Sequence, residues 1–119
     1  MTEREYPQAV AYLREEGVDL SPIDNVQVGL WALYDDGGNL SLFPTKRDAL
    51  EDLLSRHMQT RQHCHVKRCG SGRYEVTVLD PGEDRERVWR QYALDRIGPE
   101  TLSTFREMAL LALLPDDYW

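Results

Sequence analysis

The chain contains only two cysteines, three histidines and no long apolar run, and these shortages exclude several classes of protein. Its longest apolar run, 108–114, is far shorter than the roughly 20 residues that cross a bilayer, and no apolar segment follows the charged N-terminus. We therefore expect neither a membrane span nor a secretory signal, and a cytoplasmic protein. Cys64 and Cys69 point to opposite faces of one predicted strand and cannot bridge each other there, which fits a reducing compartment.

The sequence also lacks the short motifs that mark common catalytic sites. It contains no Gly-x-Ser-x-Gly elbow, no His-Glu-x-x-His motif, no phosphate-binding loop and no dinucleotide-binding glycine turn. We therefore predict that the protein is not an enzyme and binds no cofactor.

Length and composition predict a folded protein. The chain has 119 residues, of which 41% are hydrophobic and 29% are charged, without an internal repeat or a linker of low complexity. A chain of this size buries enough apolar surface to fold without disulfides or metal. We predict a single domain over residues 1–119.

Hydrophobic periodicity predicts an α+β fold of order α-ββ-α-βββ-α. Three helices are expected mainly on one face of an antiparallel sheet of four to five strands built from hairpins. The segment 86–94 fits either a helix or a strand, and we favour a strand. The other expected elements are a helix within 7–16, a loop at 17–25, a hairpin of 26–34 and 40–43, a helix that Thr45 and Asp48 cap, a hairpin of 62–69 and 73–79 around Gly70-Ser71-Gly72, and a helix between Gly98-Pro99 and Pro115.

The formal net charge of -7 and its distribution suggest what the protein binds. Residues 1–52 hold eleven acidic side chains and only four basic ones. Carboxylates that surround aromatic anchors favour a protein interface, and an acidic surface is attracted to a basic site. We predict a protein-binding module that docks on a larger, basic protein that handles nucleic acid. The candidate residues are Glu15, Glu16, Tyr34, Asp35, Asp36, Asp116, Asp117, Tyr118 and Trp119, although Tyr118 and Trp119 could instead pack on their own core.

The predicted ββα unit ends in Phe43-Pro44-Thr45-Lys46-Arg47-Asp48-Ala49. This unit, about thirty residues long, resembles units that small proteins of phages and mobile elements carry, and it contains no functional motif. The resemblance implies a stoichiometric inhibitor.

The window 53–74 contains no acidic residue and could instead contact an anionic partner. In this alternative the protein binds nucleic acid directly through its cations, although the net charge of the whole chain opposes a polyanion. The same cations could simply pair with Asp52, Glu75 and the acidic turn 83–86. The cations of the window are Arg56, Arg61, Lys67, Arg68 and Arg73.

A second alternative is a small metalloprotein or an enzyme that uses the histidines and cysteines of the same window. His57, His63, His65 and Cys69 carry the ligand types that zinc prefers. However, Cys69 lies about 13 Å along a strand from His65 at about 3.3 Å per residue, and the paired spacing typical of zinc sites is missing. We therefore predict no metal site, and a solvated strand face in this region.

The first predicted strand bears on oligomeric state. If the helices cover one face of the sheet, Trp31 and Leu33 face either water or a partner, and exposure of both is costly. We predict a homodimer through this face or through an edge strand, against a monomer with Trp31 in its core.

Overall fold

The structure is a computed structural model that describes residues 1–58, 63–79 and 81–118, without the side chains of Met58 and His63. Within these residues, helices alternate with antiparallel strands, and a short 3-10 helix closes the order. The helices are α1 (Glu5–Glu15), α2 (Ser21–Asp24), α3 (Lys46–Met58), α4 (Leu102–Leu113) and the 3-10 helix (Asp116–Tyr118); the strands are β1 (Trp31–Asp35), β2 (Leu40–Phe43), β3 (His63–Gly70), β4 (Arg73–Leu79) and β5 (Arg87–Arg96).

The predicted α+β fold and the five-stranded antiparallel sheet are confirmed. The short helix α2 is an addition, because its segment was expected to be a loop. Asp19 holds the residue at which α2 begins: its carboxylate accepts hydrogen bonds from the backbone N–H of Ser21 at 3.0 Å and from the hydroxyl of Ser21 at 2.8 Å. Pro22 then supplies a backbone angle that suits the first turn of a helix.

Two segment boundaries differ from the prediction for local reasons. Helix α1 begins at Glu5, where Thr2 and Glu5 exchange hydrogen bonds between side chain and backbone at 2.9 and 3.3 Å, as in a capping box. Strand β1 begins only at Trp31, because Gly29 takes a left-handed φ of 96° that interrupts an extended chain.

Contacts divide the chain into two compact units, which we call unit 1 and unit 2. Unit 1 comprises Met1–Gly29 and Ile97–Trp119, and unit 2 comprises Leu30–Arg96. The single domain over 1–119 stays a prediction.

Unit 1 is helical and contains α1, α2, α4 and the 3-10 helix. Its two chain segments are joined by hydrogen bonds to backbone carbonyls: the N–H of Gly29 donates to the carbonyl of Ile97 at 2.8 Å, and the side-chain Nε of Arg106 donates to the carbonyl of Val26 at 3.3 Å. Its buried apolar side chains are Ala9, Leu13, Ile23, Val26, Ile97, Phe105, Ala109, Leu110 and Leu114.

Unit 2 is the sheet with α3 on one face. The strand order is β2-β1-β5-β4-β3, so β2 and β3 form the edges. The Thr45 part of the predicted cap of α3 is present, since the N–H of Asp48 donates to Thr45 Oγ1 at 3.1 Å. The core between α3 and the sheet contains Leu33, Ala49, Leu53, Tyr74, Val76, Tyr92 and Leu94, with Trp31, Phe43, Leu50, Cys64 and Val66 packed against it.

The segment 86–94 belongs mostly to strand β5, as we favoured. Strand β5 pairs with both β1 and β4, so it lies in the centre of the sheet. Its register with β4 shifts between Val76 and Thr77, because Val76 opposes Arg90 whereas Thr77 opposes Val88. Trp89 is the extra residue of this bulge and keeps 39% of its surface exposed.

Candidate functional site

The net negative charge of the protein belongs entirely to unit 1. This unit carries ten acidic and three basic side chains, a formal net charge of -7, whereas unit 2 carries eleven of each. From the sequence we assigned the acidic region to residues 1–52. In the structure the excess of acidic residues lies instead in unit 1, which combines residues 1–29 and 97–119. Charge of one sign on a small unit produces a field that attracts a cationic partner from a distance.

The 3-10 helix packs against α1 through two tyrosine rings. The rings of Tyr12 and Tyr118 lie 4.9 Å apart between centroids at an angle of 50°, a tilted arrangement that is favourable for aromatic pairs. Glu15 and Glu16 follow Tyr12 by one helical turn, and both are exposed. Asp116 and Asp117 directly precede Tyr118 and are also exposed.

The tyrosine contact therefore gathers acidic residues from the two ends of the chain. We call Tyr12, Glu15, Glu16, Asp116, Asp117 and Tyr118 the acidic tyrosine patch. Sequence reasoning missed Tyr12, because it lies outside the apolar stripe of α1; its spacing of three and four residues from the glutamates was the available signal. Trp119, also a predicted binding residue, lies outside the described residues.

Tyr34, Asp35 and Asp36, the other predicted binding residues, lie in unit 2 and are not part of this patch. A binding residue has to expose its carboxylate, and Asp35 does not, since its side chain is only 3% exposed. Its Oδ1 accepts the N–H groups of Gly37 at 2.9 Å and Asn39 at 3.0 Å, and so closes the hairpin turn. Asp36 remains exposed.

Charge and hydrogen bonding explain why Asp35 tolerates burial. Burial acts to raise the pKa of Asp35, but hydrogen bonds from Asn39 and Gly37 and the charge of Arg90 outweigh it and hold the pKa below its ordinary value of 3.8. Arg90 Nη1 lies 3.4 Å from Asp35 Oδ2, and the Arg90 guanidinium lies over the ring of Trp89 at 5.3 Å. The carboxylate thus orients the half-exposed side chain of Arg90 on β5.

Tyr34 also engages a partner within unit 2. Its hydroxyl donates to Asp95 Oδ2 at 2.7 Å, and Arg73 Nη1 lies 3.2 Å from the same oxygen. Burial, followed by the hydrogen bond to Asp95, raises the pKa of Tyr34. This ring therefore supports the sheet, and its polar atom already has a function there.

Most cations of the window 53–74 have intramolecular partners. Arg56 Nε pairs with Asp52 Oδ2 at 2.6 Å, Lys67 pairs with Glu86, and Arg73 pairs with Asp95. Pairing with Asp52 and with the acidic turn, which the sequence offered as the simpler explanation, is confirmed for Arg56 and Lys67. Arg68 Nε donates to the carbonyl of Gly70 at 3.3 Å, and Arg61 lies outside the described residues.

The histidine and cysteine cluster is separated by the sheet. His57 lies on the core side, where its Nε2 is 3.2 Å from the hydroxyl of Tyr92. His65 alternates with the core residues Cys64 and Val66, so it lies on the opposite face, where its Nδ1 is 2.9 Å from Glu86.

The burial of His57 changes its acid–base behaviour. Burial, and then the charges of Arg56 and Arg90, lower the pKa of His57 below its ordinary value of 6.5. Cys69 is exposed, and the side chain of His63 lies outside the described part. Among the described residues, no three side chains of ligating types lie close enough together to hold a metal ion.

Leu33 does not provide the exposed surface on which the predicted dimer depended. It is 1% exposed and belongs to the core of unit 2, and Trp31 packs against that core. The prediction that Leu33 faces water or a partner is therefore wrong. Homodimerisation through an edge strand stays a prediction.

Comparisons with protein-family models, with curated proteins and with solved structures find no match for this chain. In the described ranges, none of the helices has both the length and the apolar character needed to span a membrane. Functional inference for this protein therefore depends on the chemistry of its own surfaces.

Proposed function

We propose that this protein is a non-enzymatic binding module that docks through unit 1 on a basic surface of a larger protein, one whose basic site normally holds nucleic acid. The observation that carries this proposal is the segregation of charge, since unit 1 bears the whole formal excess of -7 while unit 2 is balanced. In this proposal the protein acts as a stoichiometric inhibitor of its partner, of the type that phages and mobile elements encode. Cys64 and Cys69 are not joined in a disulfide, which fits a cytoplasmic setting.

The acidic tyrosine patch supplies the contact surface. Tyrosine is enriched among the residues that dominate binding energy, because its ring contributes a large area at low entropic cost. The pair Tyr12 and Tyr118 is held by its own ring contact, so part of the ordering cost is met before a partner arrives. The four carboxylates around the rings would steer a cationic partner and fix its register.

The pairing of the window cations makes direct nucleic-acid binding the weaker alternative. Arg56, Lys67 and Arg73 would each have to leave a carboxylate before contacting a phosphate. Counterion release at phosphates supplies most of the affinity of such binders, and cations that are already neutralised release fewer counterions. The charge of unit 1 would in addition repel a polyanion.

A pair of charge-matched variants tests this proposal. The patch variant carries Glu15→Gln, Glu16→Gln and Asp117→Asn, all at exposed positions of unit 1. The control variant carries Asp36→Asn, Glu83→Gln and Asp84→Asn, all at exposed positions of unit 2. Both variants lose three negative charges, so only the position of the charge differs.

The protein and both variants would be used for affinity capture from the host, followed by mass spectrometry and reconstitution with the purified captured protein. We expect a 1:1 complex with a basic protein, and an association rate that falls with added salt. The patch variant should associate about ten-fold more slowly than the control variant, since rim charges act mainly on association. Equal rates for the two variants, or a partner without a basic surface, would contradict the proposal.

A further inference from the structure

Unit 1 contains a cleft of about 560 Å³ that the predicted function has not used. One wall comes from the start of the chain and the first turn of α1, and includes Glu3, Tyr6 and Pro7. The other comes from the first half of α4 and the residues before it, and includes Leu102 and Glu107. Its volume falls within the range of about 300–1,000 Å³ that is typical of ligand-binding clefts.

The lining combines an apolar floor with carboxylates. Tyr6 and Leu102 are half-buried, whereas the side chain of Glu3 is exposed and that of Glu107 is 33% exposed. Glu107 Oε1 lies 3.1 Å from the nitrogen of Met1, so the head of a basic side chain that enters the cleft would share this carboxylate with the amino group of Met1 or replace that group. Arg106, which lines the cleft together with the amino group of Met1, donates from Nε to the carbonyl of Val26 at 3.3 Å.

We propose that this cleft receives one lysine or arginine side chain of the protein partner. The aliphatic stem would pack on Tyr6 and Leu102, and the cationic head would meet Glu3 and Glu107. Long basic side chains suit such a site, because they bury an apolar stem while the charged head stays near water. The net charge of -7 on unit 1 favours a cation at this place over an anion or an apolar side chain.

This inference rests on the proposed function and adds a second contact on the same unit. The acidic tyrosine patch presents rings and carboxylates on the surface, whereas the cleft is a recess that a side chain can enter. A side chain that enters a cleft is desolvated more fully than one on a flat surface, so its specificity for a basic residue should be higher.

The probe is the peptide acetyl-Gly-Leu-Arg-Leu-Gly-amide, and its control is the same peptide with citrulline in place of arginine. Citrulline keeps the shape of the side chain and removes its charge. Binding would be followed at low salt by the backbone amide shifts of the ¹⁵N-labelled protein. We expect the largest shifts within 2–6 and 102–107, and weaker binding of the citrulline peptide.

Three single variants then locate the site. Ser103→Phe places a ring in the cleft from an exposed position and should weaken binding at least ten-fold. Glu3→Gln removes one carboxylate and should weaken binding roughly three-fold, as for an exposed ion pair. Glu100→Gln, a matched loss of charge at an exposed residue outside the lining, should leave the affinity unchanged.

The outcomes separate this inference from the proposed function. Equal effects of Glu3→Gln and Glu100→Gln, shifts away from the cleft, or equal binding of the two peptides would overturn the cleft as a site for a basic side chain, even if the patch variant still lost its partner. Conversely, specific peptide binding in the cleft together with equal behaviour of the patch and control variants would sustain the cleft and overturn the patch. Peptide binding that Ser103→Phe abolishes and Glu3→Gln weakens would support the inference.

Discussion

Replacement of Asp35 by alanine should destabilise the protein, although the residue lies at the end of β1, next to a turn where substitutions are usually tolerated. The carboxylate accepts two backbone N–H groups and the side-chain amide of Asn39, and it faces Arg90. Hydrogen bonds to a charged group contribute about 1.5–3 kcal/mol each when they are counted alone. Because these bonds share one carboxylate and are not additive, we expect a loss of about 3 kcal/mol.

The matched control is Asp36→Ala in the same turn. Asp36 is exposed, and a surface substitution of this kind usually changes stability by less than about 0.5 kcal/mol. Urea unfolding would be followed by circular dichroism and by tryptophan fluorescence, since coincident transitions establish two-state behaviour. A loss of about 3 kcal/mol corresponds to a fall in Tm of roughly 10 °C for a chain of this size.

The pH dependence of stability gives a second readout for Asp35. Since its pKa in the folded protein lies below the ordinary 3.8, the unfolded chain takes up this proton first as the pH falls. The stabilisation by Asp35 is therefore complete above about pH 5, and is lost as the pH falls through the folded pKa. Asp35→Asn should be less stable than the parent at neutral pH and should lose less stability in acid. A cost below about 1 kcal/mol for Asp35→Ala, or equal costs for the two alanine variants, would refute this reasoning.

Three further predictions concern other parts of the molecule. Gly72→Ala should cost about 1–3 kcal/mol more than Gly38→Ala in urea unfolding: both glycines have positive φ, but only at Gly72 would a Cβ meet backbone, 2.5 Å from the carbonyl oxygen of Leu94. Because burial lowers the pKa of His57 below 6.5, the unfolded chain binds this proton first, and the stability of the protein should fall as the pH drops below about 6.5. His57→Phe should remove this pH-dependent loss of stability, whereas His65→Gln, at an exposed histidine, should retain it. Equal pH profiles of stability for the two variants would contradict the prediction. Tyr118→Ala should destabilise unit 1 by about 0.5–1.5 kcal/mol through loss of its ring pair with Tyr12. Protease cleavage of the chain beyond residue 115 should then accelerate, and an unchanged cleavage rate would show that the ring pair does not hold the C-terminal segment.

The elements that local interactions determine could be predicted from the sequence. The hairpin around Gly70-Ser71-Gly72 and the cap of α3 at Thr45 need only neighbouring residues, and both occur as expected. The short helix α2 was missed because the only local signal for its start is Asp19, two residues before Ser21, and this signal is weak beside the loop-forming residues around it.

The candidate site was only partly predictable, because some of its contacts join residues that are distant in sequence. Glu15, Glu16, Asp116 and Asp117 could be chosen by charge, but nothing local indicates that Tyr118 reaches Tyr12. Asp35 accepts hydrogen bonds from the neighbouring residues Gly37 and Asn39, but its contact with Arg90 joins it to a strand distant in sequence, and no local pattern indicates that contact.

The sequence by itself determined the class of fold, the alternation of helices and hairpins, and the total charge, because periodicity, turn chemistry and composition are properties of neighbouring residues or of the whole chain. The tertiary structure decided where that charge acts, since the excess of -7 became localised only when residues 1–29 and 97–119 came together. It also placed His57 and His65 on opposite faces of the sheet, although both lie in one short stretch of sequence. The physical reason is that strand alternation and long-range packing, rather than distance along the chain, determine which side chains can act together.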